Sequence, residues 1–337
     1  MIKKNTFIIA EVGLAHDGSL GIAKSFIDNI SNAGADAVKF QIHDASTESS
    51  SKENFKKKFS SQDKSRYYYW ERTKFHFDEW KHLINYANKK KLKFIISPFS
   101  IESFDILKKL NIYAWKIASG EFTNLPLIEH IVKNSKRPLI LSTGLTYEKE
   151  IEIIIKKLNP IRNKTTLLQC TSAYPTPLES VGHNCLKYFK RKYKVNVGIS
   201  DHSGNKNSII AGICMGADTI ETHVTYHKSF FGPDTKSSIT FDELREVINF
   251  RNDYKKIVKG KINKKKLNSN QKIMRNFFCK SILSVNNMEI GHKIKLEDIK
   301  FRKPLIGISA FDYRKIIGKK VKNLIMKDQF IKWQDIN

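Results

Sequence analysis

The sequence lacks the features that would place a protein in a membrane or in an oxidising compartment. No apolar run approaches the roughly 20 residues that a membrane-spanning helix needs. The chain does not open on an apolar segment followed by a cleavage site. Its four cysteines are too scattered for a CxxC pair or a disulfide framework. We therefore expect a soluble, cytoplasmic protein that binds no membrane, with cysteines that mostly serve as small buried apolar residues.

Acidic residues are also scarce. Asp and Glu number 33 against 60 Lys and Arg, which gives a formal net charge of +27. Such a charge attracts nucleic acids, anionic surfaces and anionic metabolites. Much of the excess is lysine dispersed along the chain, as at residues 89–91 and 264–266, and solvated faces explain most of it. We expect no specific nucleic-acid binding, although a basic nucleic-acid-binding protein remains the alternative from a different class.

Short apolar runs alternate with amphipathic stretches over the first 225 residues. Continuous apolar runs are typical of parallel strands that are buried on both faces. The eight runs span residues 7–11, 37–41, 94–97, 114–117, 139–142, 166–170, 196–200 and 219–223. Helix-like stretches span residues 19–32, 77–90, 101–110, 126–134, 147–158, 205–215 and 240–254. This order predicts an α/β fold, a (β/α)8 TIM barrel over residues 1–254. An open doubly wound sheet is the alternative, but the first strand–helix turn lacks its glycine fingerprint.

Three segments depart from this alternation. Residues 44–76 are too long for an ordinary loop and contain an aromatic run at 66–72. They are interpreted either as a lid or binding loop or as an extra helix that packs aromatics on the barrel. The lysine-rich residues 255–276 predict a linker. Residues 277–337 predict a small domain of short strands and turns, which at about 60 residues is expected to lean on the barrel or on another subunit.

Polar side chains occupy the carboxyl-terminal ends of seven of the eight predicted strands, where catalysis occurs in a barrel. Lysine and glutamate in apolar strands are costly unless they are paired or liganded. These strand-end residues are Glu11, Lys39, Gln41, Ser97, Lys116, Ser119, Glu121, Ser142, Ser200, Asp201, His202, Glu221 and His223.

Two histidines at the ends of adjacent strands predict a metal site. His202 and His223 are accompanied by three acids, Asp201, Glu221 and Asp234. Imidazole with carboxylate and water suits Mn, Fe, Co or Zn, and the sequence does not choose among them.

Two strand-end lysines, Lys39 and Lys116, predict a site for a phosphate or carboxylate. A Schiff-base aldolase that uses one of them as nucleophile is the rival interpretation. That mechanism needs no metal, so the histidines argue against it. A structural ion pair between Lys39 and Glu11 is compatible with either role.

The chain carries a series of ordered motifs. They are FIIAEVG at 7–13, HDGS at 16–19, AGADAVKFQ at 33–41, SPF at 97–99, KIASGE at 116–121, LSTG at 141–144, CTSAYPTP at 170–177, GISDHS at 198–203 and GPD at 232–234. In this order the motifs resemble the sialic acid synthase family, and the tail resembles its SAF, or antifreeze-like, domain. The resemblance covers nearly the whole chain.

The resemblance implies an N-acetylneuraminate synthase-like transferase. Such an enzyme condenses phosphoenolpyruvate with N-acetylmannosamine or a related acetamido hexose to give a nine-carbon 2-keto acid and phosphate. His202 and His223 would bind a divalent metal ion, Mn2+ first, with Mg2+ or Co2+ as alternatives. Within the fold, the rival is an aldose-phosphate condensing enzyme that makes 3-deoxy-ulosonates, and the SAF-like tail favours the first.

The resemblance also implies roles for individual residues. Catalytic roles fall to Glu11, Lys39, Lys116 and Glu121. Substrate-binding roles fall to Gln41, Ser97, Ser119, Ser142, Ser172, Tyr174, Ser200, Asp234, Arg302 and Lys303. Family members form domain-swapped homodimers in which the SAF domain of one chain supplies a basic residue to the active site of the other. Arg302 or Lys303 would be that residue.

Three departures from the family pattern affect the substrate. Ala15 and Asp17 replace the usual Asn and Glu around the first motif histidine, and Ser172 replaces an Asn. The usual Arg-Pro-Gly of the tail is replaced by Arg-Lys-Pro-Leu at 302–305. Lysine does not reproduce a bidentate arginine contact. A 2,4-diacetamido-trideoxyhexose, leading to legionaminic- or pseudaminic-type acids, is therefore the alternative substrate.

Overall fold

The computed structural model describes residues 5–55 and 58–337 and divides into two compact units, Met1–Gly260 and Lys261–Asn337. The first unit contains a closed barrel of parallel strands, in which each strand pairs with the next and β1 pairs with β8. The strands are β1 Phe7–Gly13, β2 Ala37–Ile42, β3 Lys93–Pro98, β4 Ala114–Ile117, β5 Leu139–Ser142, β6 Thr165–Cys170, β7 Asn196–Asp201 and β8 Thr219–Thr225. A short β9, Ser238–Thr240, pairs with the end of β8. The predicted TIM barrel is confirmed.

Helices of the first unit lie between the strands, and several of them begin at a capping residue. They are α1 Leu20–Ala33, α2 Ala45–Glu48, α3 Arg66–Thr73, α4 Phe77–Lys89, α5 Ile101–Leu107, α6 Leu125–Asn134, α7 Glu148–Lys157, α8 Cys185–Tyr193, α9 Lys206–Cys214 and α10 Phe241–Lys259. Ser19 caps α1, and Thr240 with Glu243 forms a capping box on α10. Helix α8 was not predicted from the sequence. Asn184 precedes it, but its side chain makes no capping hydrogen bond.

The barrel interior is layered because successive strand residues point to opposite faces. A lower apolar layer contains Ile9, Ala37, Ile95, Ala114, Ile140 and Leu168. Two residues further along the same strands lie Glu11, Lys39, Ser97, Lys116, Ser142 and Cys170, all buried. The interior therefore has an apolar layer and, two residues further along the strands, a polar layer nearer their carboxyl ends. The outward-facing strand residues pack against the helices in one large apolar core that includes Phe26, Trp80 and Trp115.

The long insertion between β2 and α4 packs aromatic side chains against the first strand–helix turn. Tyr69 and Trp70 of α3 are buried and cluster with Leu14. Arg72 donates to Asp63 over 2.9 Å and to Asp17 over 2.8 Å. The described part of residues 44–76 therefore contains the extra helix that was one of the two interpretations. The prediction that these residues form a lid stays a prediction, and residues 56–57 lie outside the described part.

The second unit has its own small core. It contains α11 Ser269–Phe278, β10 Ser281–Ser284, β11 Ile299–Arg302 and α12 Tyr313–Ile316, with β10 and β11 antiparallel. Ten buried apolar residues from Ile282 to Ile336 form the core. The segment 255–276, predicted as a linker, is largely helical. Helix α10 continues to Lys259, and α11 begins at a capping box between Asn268 and Gln271.

None of the described helices is both long and apolar enough to cross a membrane.

Candidate active site

Two lysines and two glutamates form an ion network in the polar layer of the barrel. The Lys39 ammonium lies 2.7 Å from Glu11 Oε1 and 3.5 Å from Glu221 Oε1, and the Lys116 ammonium lies 3.6 Å from Glu221 Oε1. Strand register brings them together, because Glu11 is the Cα partner of Lys39 on one side and of His223 on the other. All four network residues are at most 4% exposed. The charges balance, which buried ions require.

The network leaves Lys116 as the less well-compensated cation. Burial favours the neutral form of Glu221, but Lys116 and Lys39 outweigh it and lower the pKa of Glu221 to about 2. Burial likewise opposes the charge on Lys39, yet Glu11 and Glu221 raise its pKa. Burial lowers the pKa of Lys116, and the positive charge of Lys39 lowers it further. An added anion beside Lys116 would offset that penalty.

Hydroxyl groups without hydrogen-bond partners among the described residues lie at or just after the carboxyl ends of β3, β5 and β6, the same end of the barrel as the lysines. They are the Oγ atoms of Ser97, Ser142 and Ser172, all buried. The backbone N–H of Gly144 donates to Ser119 Oγ over 3.1 Å. A Cβ at position 144 would lie 2.3 Å from Ser172 Oγ and 2.8 Å from Ser119 Oγ, so a larger residue there would displace these hydroxyls. Buried polar groups without partners are rare in folded proteins, and a bound ligand is one reason to keep them.

The two histidines predicted as metal ligands lie side by side, with ring centroids 5.5 Å apart. His202 Nδ1 lies 3.2 Å from the carbonyl oxygen of Thr171, and His202 Nε2 lies 3.2 Å from the Tyr174 hydroxyl. A carbonyl on Nδ1 fixes the tautomer that leaves the Nε2 lone pair for a ligand. Burial and the nearby His223 lower the pKa of His202 to about 3, which keeps it in the neutral, ligating form.

The acids beside the histidines are only partly those expected. Asp234 Oδ2 lies 3.9 Å from His223 Nδ1. Asp201 instead accepts hydrogen bonds from Ser203 and Ser208, and Glu221 pairs with the lysines. Two imidazoles and one carboxylate are a donor set that suits Mn2+ and related cations. Among residues 5–55 and 58–337, no three His, Cys, Asp or Glu side chains are already grouped as metal ligands.

The remaining predicted barrel residues border the same mouth. Gln41 Nε2 donates to Glu11 Oε1 over 2.7 Å, and Ser200 donates to Glu221 over 3.1 Å. Glu121 accepts from Asn124 over 2.7 Å, and burial raises its pKa.

Arg302 and Lys303 belong to the second unit. Arg302 is exposed at the end of β11, and the Lys303 ammonium lies 5.4 Å from the centre of the Phe278 ring. Their predicted role in a neighbouring active site stays a prediction.

Sequence reasoning missed four residues at this mouth. His43 is buried just after β2, its ring lies between those of Trp70 and Phe99, and it pairs with Glu48. His43 follows Gln41 by two positions, so continuing the alternation of β2 past Lys39 and Gln41 points to it as well. Glu48 and Trp70 come from the insertion, and no periodic signal places them there.

Comparison with known proteins identifies the chain. Residues 26–263 match the NeuB family, and residues 280–337 match the SAF domain. The chain belongs to the NeuB family. It is therefore an enzyme of the sialic acid synthase type.

Relatives of this NeuB family member align over almost its whole length. The N,N'-diacetyllegionaminic acid synthase of Campylobacter jejuni is 34% identical over 98% of this chain and 99% of its own. A pseudaminic acid synthase of the same species is 32% identical over 98% of this chain and 97% of its own. Among solved structures, the N-acetylneuraminic acid (sialic acid) synthetase of Leptospira borgpetersenii has a TM-score of 0.69 at 27% identity. It covers 80% of this chain and 90% of its own.

Proposed function

We propose that this NeuB family enzyme condenses phosphoenolpyruvate with the open-chain aldehyde of an acetamido hexose. The product is a nine-carbon 2-keto acid, and phosphate is released. The observation that carries the proposal is the charge-balanced network of Glu11, Lys39, Lys116 and Glu221, with partnerless hydroxyls at the same end of the barrel. Lys116 is the less well-compensated of the two buried cations, and together with these hydroxyl donors it suits a small anion.

Phosphoenolpyruvate supplies two anionic groups, a phosphate and a carboxylate. Lys39 and Lys116 offer ammonium donors to them, and the partnerless hydroxyls of Ser97 and Ser142 offer neutral donors. Ser119, whose hydroxyl oxygen accepts from the Gly144 N–H, is a further hydroxyl donor for the anion. Charge-assisted hydrogen bonds of this kind are the strong ones. The anion would also relieve the electrostatic penalty on Lys116.

The condensation forms a carbon–carbon bond between C3 of phosphoenolpyruvate and the aldehyde carbon. Water adds at C2, phosphate leaves, and the aldehyde oxygen takes up a proton. Glu121, whose pKa burial raises, is the candidate donor of that proton. Glu11 and Gln41 are candidates to hold the sugar, since both border the network.

A divalent cation is proposed at His202 and His223, with Asp234 beside them and Mn2+ as the first choice. A bound cation supplies polarisation of a carbonyl oxygen and activation of water. Tyr174, 3.2 Å from His202 Nε2, would give up that contact when the histidine binds metal.

The acceptor sugar we favour is a 2,4-diacetamido-trideoxyhexose. Relatives aligned over 98% of the chain are named for legionaminic and pseudaminic acids. The departures at Ala15 and Ser172 also separate this chain from the pattern expected for N-acetylmannosamine. Ser172 has a shorter side chain than the usual Asn and leaves more room there, and its hydroxyl has no partner among the described residues.

We further propose that two copies of the chain complete each other's sites through the second unit. Arg302 and Lys303 are exposed, as a residue that contacts a substrate in another subunit must be before assembly. This proposal depends on the family resemblance of the tail.

The experiment is phosphate release from phosphoenolpyruvate with Mn2+, with N-acetylmannosamine and a 2,4-diacetamido-trideoxyhexose in parallel. We expect release that requires the second sugar and stops with chelator. Release that requires N-acetylmannosamine alone would correct the sugar. If no phosphate is released with either sugar, the proposed function is wrong.

A further inference from the structure

A chain of hydrogen bonds runs from the insertion to the centre of the barrel. Glu48 Oε1 lies 2.7 Å from His43 Nδ1, and His43 Nε2 lies 3.0 Å from Gln41 Oε1. Gln41 Nε2 then donates to Glu11 Oε1 over 2.7 Å, and Glu11 pairs with Lys39. The chain therefore links a carboxylate on α2 to the ion network.

Electrostatics fixes the direction of these bonds. The Glu11 carboxylate that pairs with Lys39 can only accept, so Gln41 must present its N–H to Glu11 and its carbonyl to His43. His43 Nε2 must then donate to that carbonyl, and its Nδ1 faces Glu48 Oε1 within hydrogen-bond distance. A flip of the Gln41 amide would place two acceptors face to face at Glu11.

The His43 ring itself has little freedom. Its centroid lies 4.1 Å from that of Phe99 and 4.9 Å from that of Trp70, and the Trp70 ring is 5° from parallel. The side chains of His43 and Glu48 are 5% and 4% exposed. A hydrogen-bonded pair between two aromatic faces and away from water keeps one geometry, because any rotation leaves buried polar atoms without partners.

The orientation of the Gln41 amide decides which of its atoms face the space beside His223 and Asp234. A Cβ built on Gly13 would lie 3.6 Å from Gln41 Nε2, 3.5 Å from His223 Cε1 and 3.5 Å from Asp234 Oδ2. Gln41 Nε2 thus borders the same small space as His223 and Asp234. Its amide has two N–H groups, and among the described residues only Glu11 accepts from it. The second N–H is available to a ligand in that space.

We propose that His43 is a positioning residue that holds the Gln41 amide in one orientation toward the acceptor sugar. Glu48, Trp70 and Phe99 hold His43 in turn. This inference rests on the proposed function for the identity of the ligand. It gives the insertion between β2 and α4 a part in sugar recognition, because Glu48 and Trp70 both come from it.

His43→Phe is the test variant, since it keeps an aromatic ring between Trp70 and Phe99 and removes both hydrogen bonds. We expect kcat/KM for the sugar to fall about 100-fold, as for other losses of substrate positioning. Binding of phosphoenolpyruvate, measured by calorimetry with Mn2+, should stay within about twofold, because His43 does not contact the lysines. Glu48→Gln keeps an acceptor oxygen and should lose about tenfold.

His130→Phe is the matched control. His130 also pairs with a carboxylate, Asp105 at 3.0 Å, and lies edge-on to Phe104, but it belongs to α6 on the outside of the barrel. We expect no change in kcat/KM. Wild-type activity in His43→Phe, with sugar-dependent release by the unmodified enzyme, would overturn the inference and leave the proposed function standing.

A spectroscopic readout distinguishes failure of the positioning role of His43 from failure of the proposed function. The side-chain N–H signals of Gln41, assigned from their absence in Gln41→Glu, should shift or broaden in His43→Phe and not in His130→Phe. This measurement needs no sugar. Unchanged Gln41 signals would overturn the positioning role even if the unmodified enzyme released phosphate with neither sugar.

Discussion

Glu221 shows how one residue can hold two buried cations in a barrel. Its Oε1 atom lies 3.5 Å from the Lys39 ammonium and 3.6 Å from the Lys116 ammonium, and it accepts from Ser200. Lys39 has a second partner in Glu11, whereas Lys116 has no other carboxylate within ion-pair distance among the described residues. The charge of Glu221 therefore matters most to Lys116.

Glu221→Gln should lower the free energy of unfolding by about 3 to 5 kcal/mol, because it leaves a buried cation uncompensated. Urea unfolding monitored by circular dichroism measures this loss. Adding Lys116→Met to the same chain should restore much of the stability but no phosphate release. Equal destabilisation by the single and the double variant would show that Lys116 does not depend on Glu221.

His16 predicts a pH dependence of stability. It is buried, its Nδ1 accepts from the N–H of Gly18, and its Nε2 has no partner among the described residues. Burial, with the nearby His43, lowers its pKa to about 3. The unfolded chain therefore binds one more proton than the folded chain between the unfolded and folded pKa values. This contribution to stability is full above about pH 6.5. As the pH is lowered from there, the free energy of unfolding decreases by about 1.4 kcal/mol per pH unit until the folded pKa is reached.

His16→Gln should remove that contribution. The slope of unfolding free energy against pH, measured between pH 4 and 6 in metal-free buffer, should be smaller than in the unmodified chain by about 1.4 kcal/mol per unit. Parallel curves for the two proteins would mean that His16 is already charged in the folded state.

At the scale of elements, local patterns made the barrel predictable. Each strand is visible in the sequence as a short apolar run, and each strand–helix unit is a local stretch of the chain. The polar site was predictable from the polar residues at the carboxyl ends of the strands, which is why Glu11, Lys39 and Lys116 were placed together. Helix α8 was missed although Asn184, a residue type favoured at helix starts, precedes it, and Glu48 was missed because it reaches the site through tertiary packing of the insertion. Which of the three acids lies beside the candidate metal-binding histidines was not predictable, since Asp201 turns to Ser203 and Ser208 whereas Asp234 lies near His223.

Helix α10 is joined to the amino-terminal face of the barrel by Arg251. Its guanidinium donates to the Asp36 carboxylate and, over 3.3 Å, to the carbonyl of Thr6, while Asp36 also accepts from the N–H of Ile8. Arg251 is 5% exposed. Arg251→Met should therefore cost about 2 to 3 kcal/mol of stability. Activity per folded molecule should not change, because catalysis in barrels is at the opposite face.

Arg245→Met in the same helix is the control. Arg245 pairs with Asp242 over 2.7 Å at the surface and should contribute less than about 0.5 kcal/mol. Thermal unfolding and initial rates at saturating substrate measure both effects. A loss of activity in Arg251→Met that exceeds the loss of folded protein would mean that this face is coupled to the site.

At the scale of the whole molecule, the two units have separate apolar cores, one around the barrel and one in the tail. The second unit also exposes large apolar side chains, with Phe311 at 88% and Ile290 at 71%. Singly exposed apolar side chains are normal on protein surfaces, and only a contiguous patch marks an interface. The proposal that a second copy of the chain completes the active site therefore rests on the family resemblance of the tail.

Mixing two inactive variants tests that proposal directly. His202→Ala removes a proposed metal ligand from the barrel, and Arg302→Ala with Lys303→Ala removes both candidate residues from the tail. Each variant alone should release little phosphate. If the tail acts on the partner's barrel, a mixed dimer has one site made of an intact barrel and an intact tail. Equal mixing by dissociation and reassembly should then restore about one quarter of the wild-type sites, since half of the dimers are mixed. If instead the tail acts on its own barrel, no mixed dimer contains an intact site and the mixture stays inactive. Full activity in the tail variant alone would show that neither basic residue contacts the substrate.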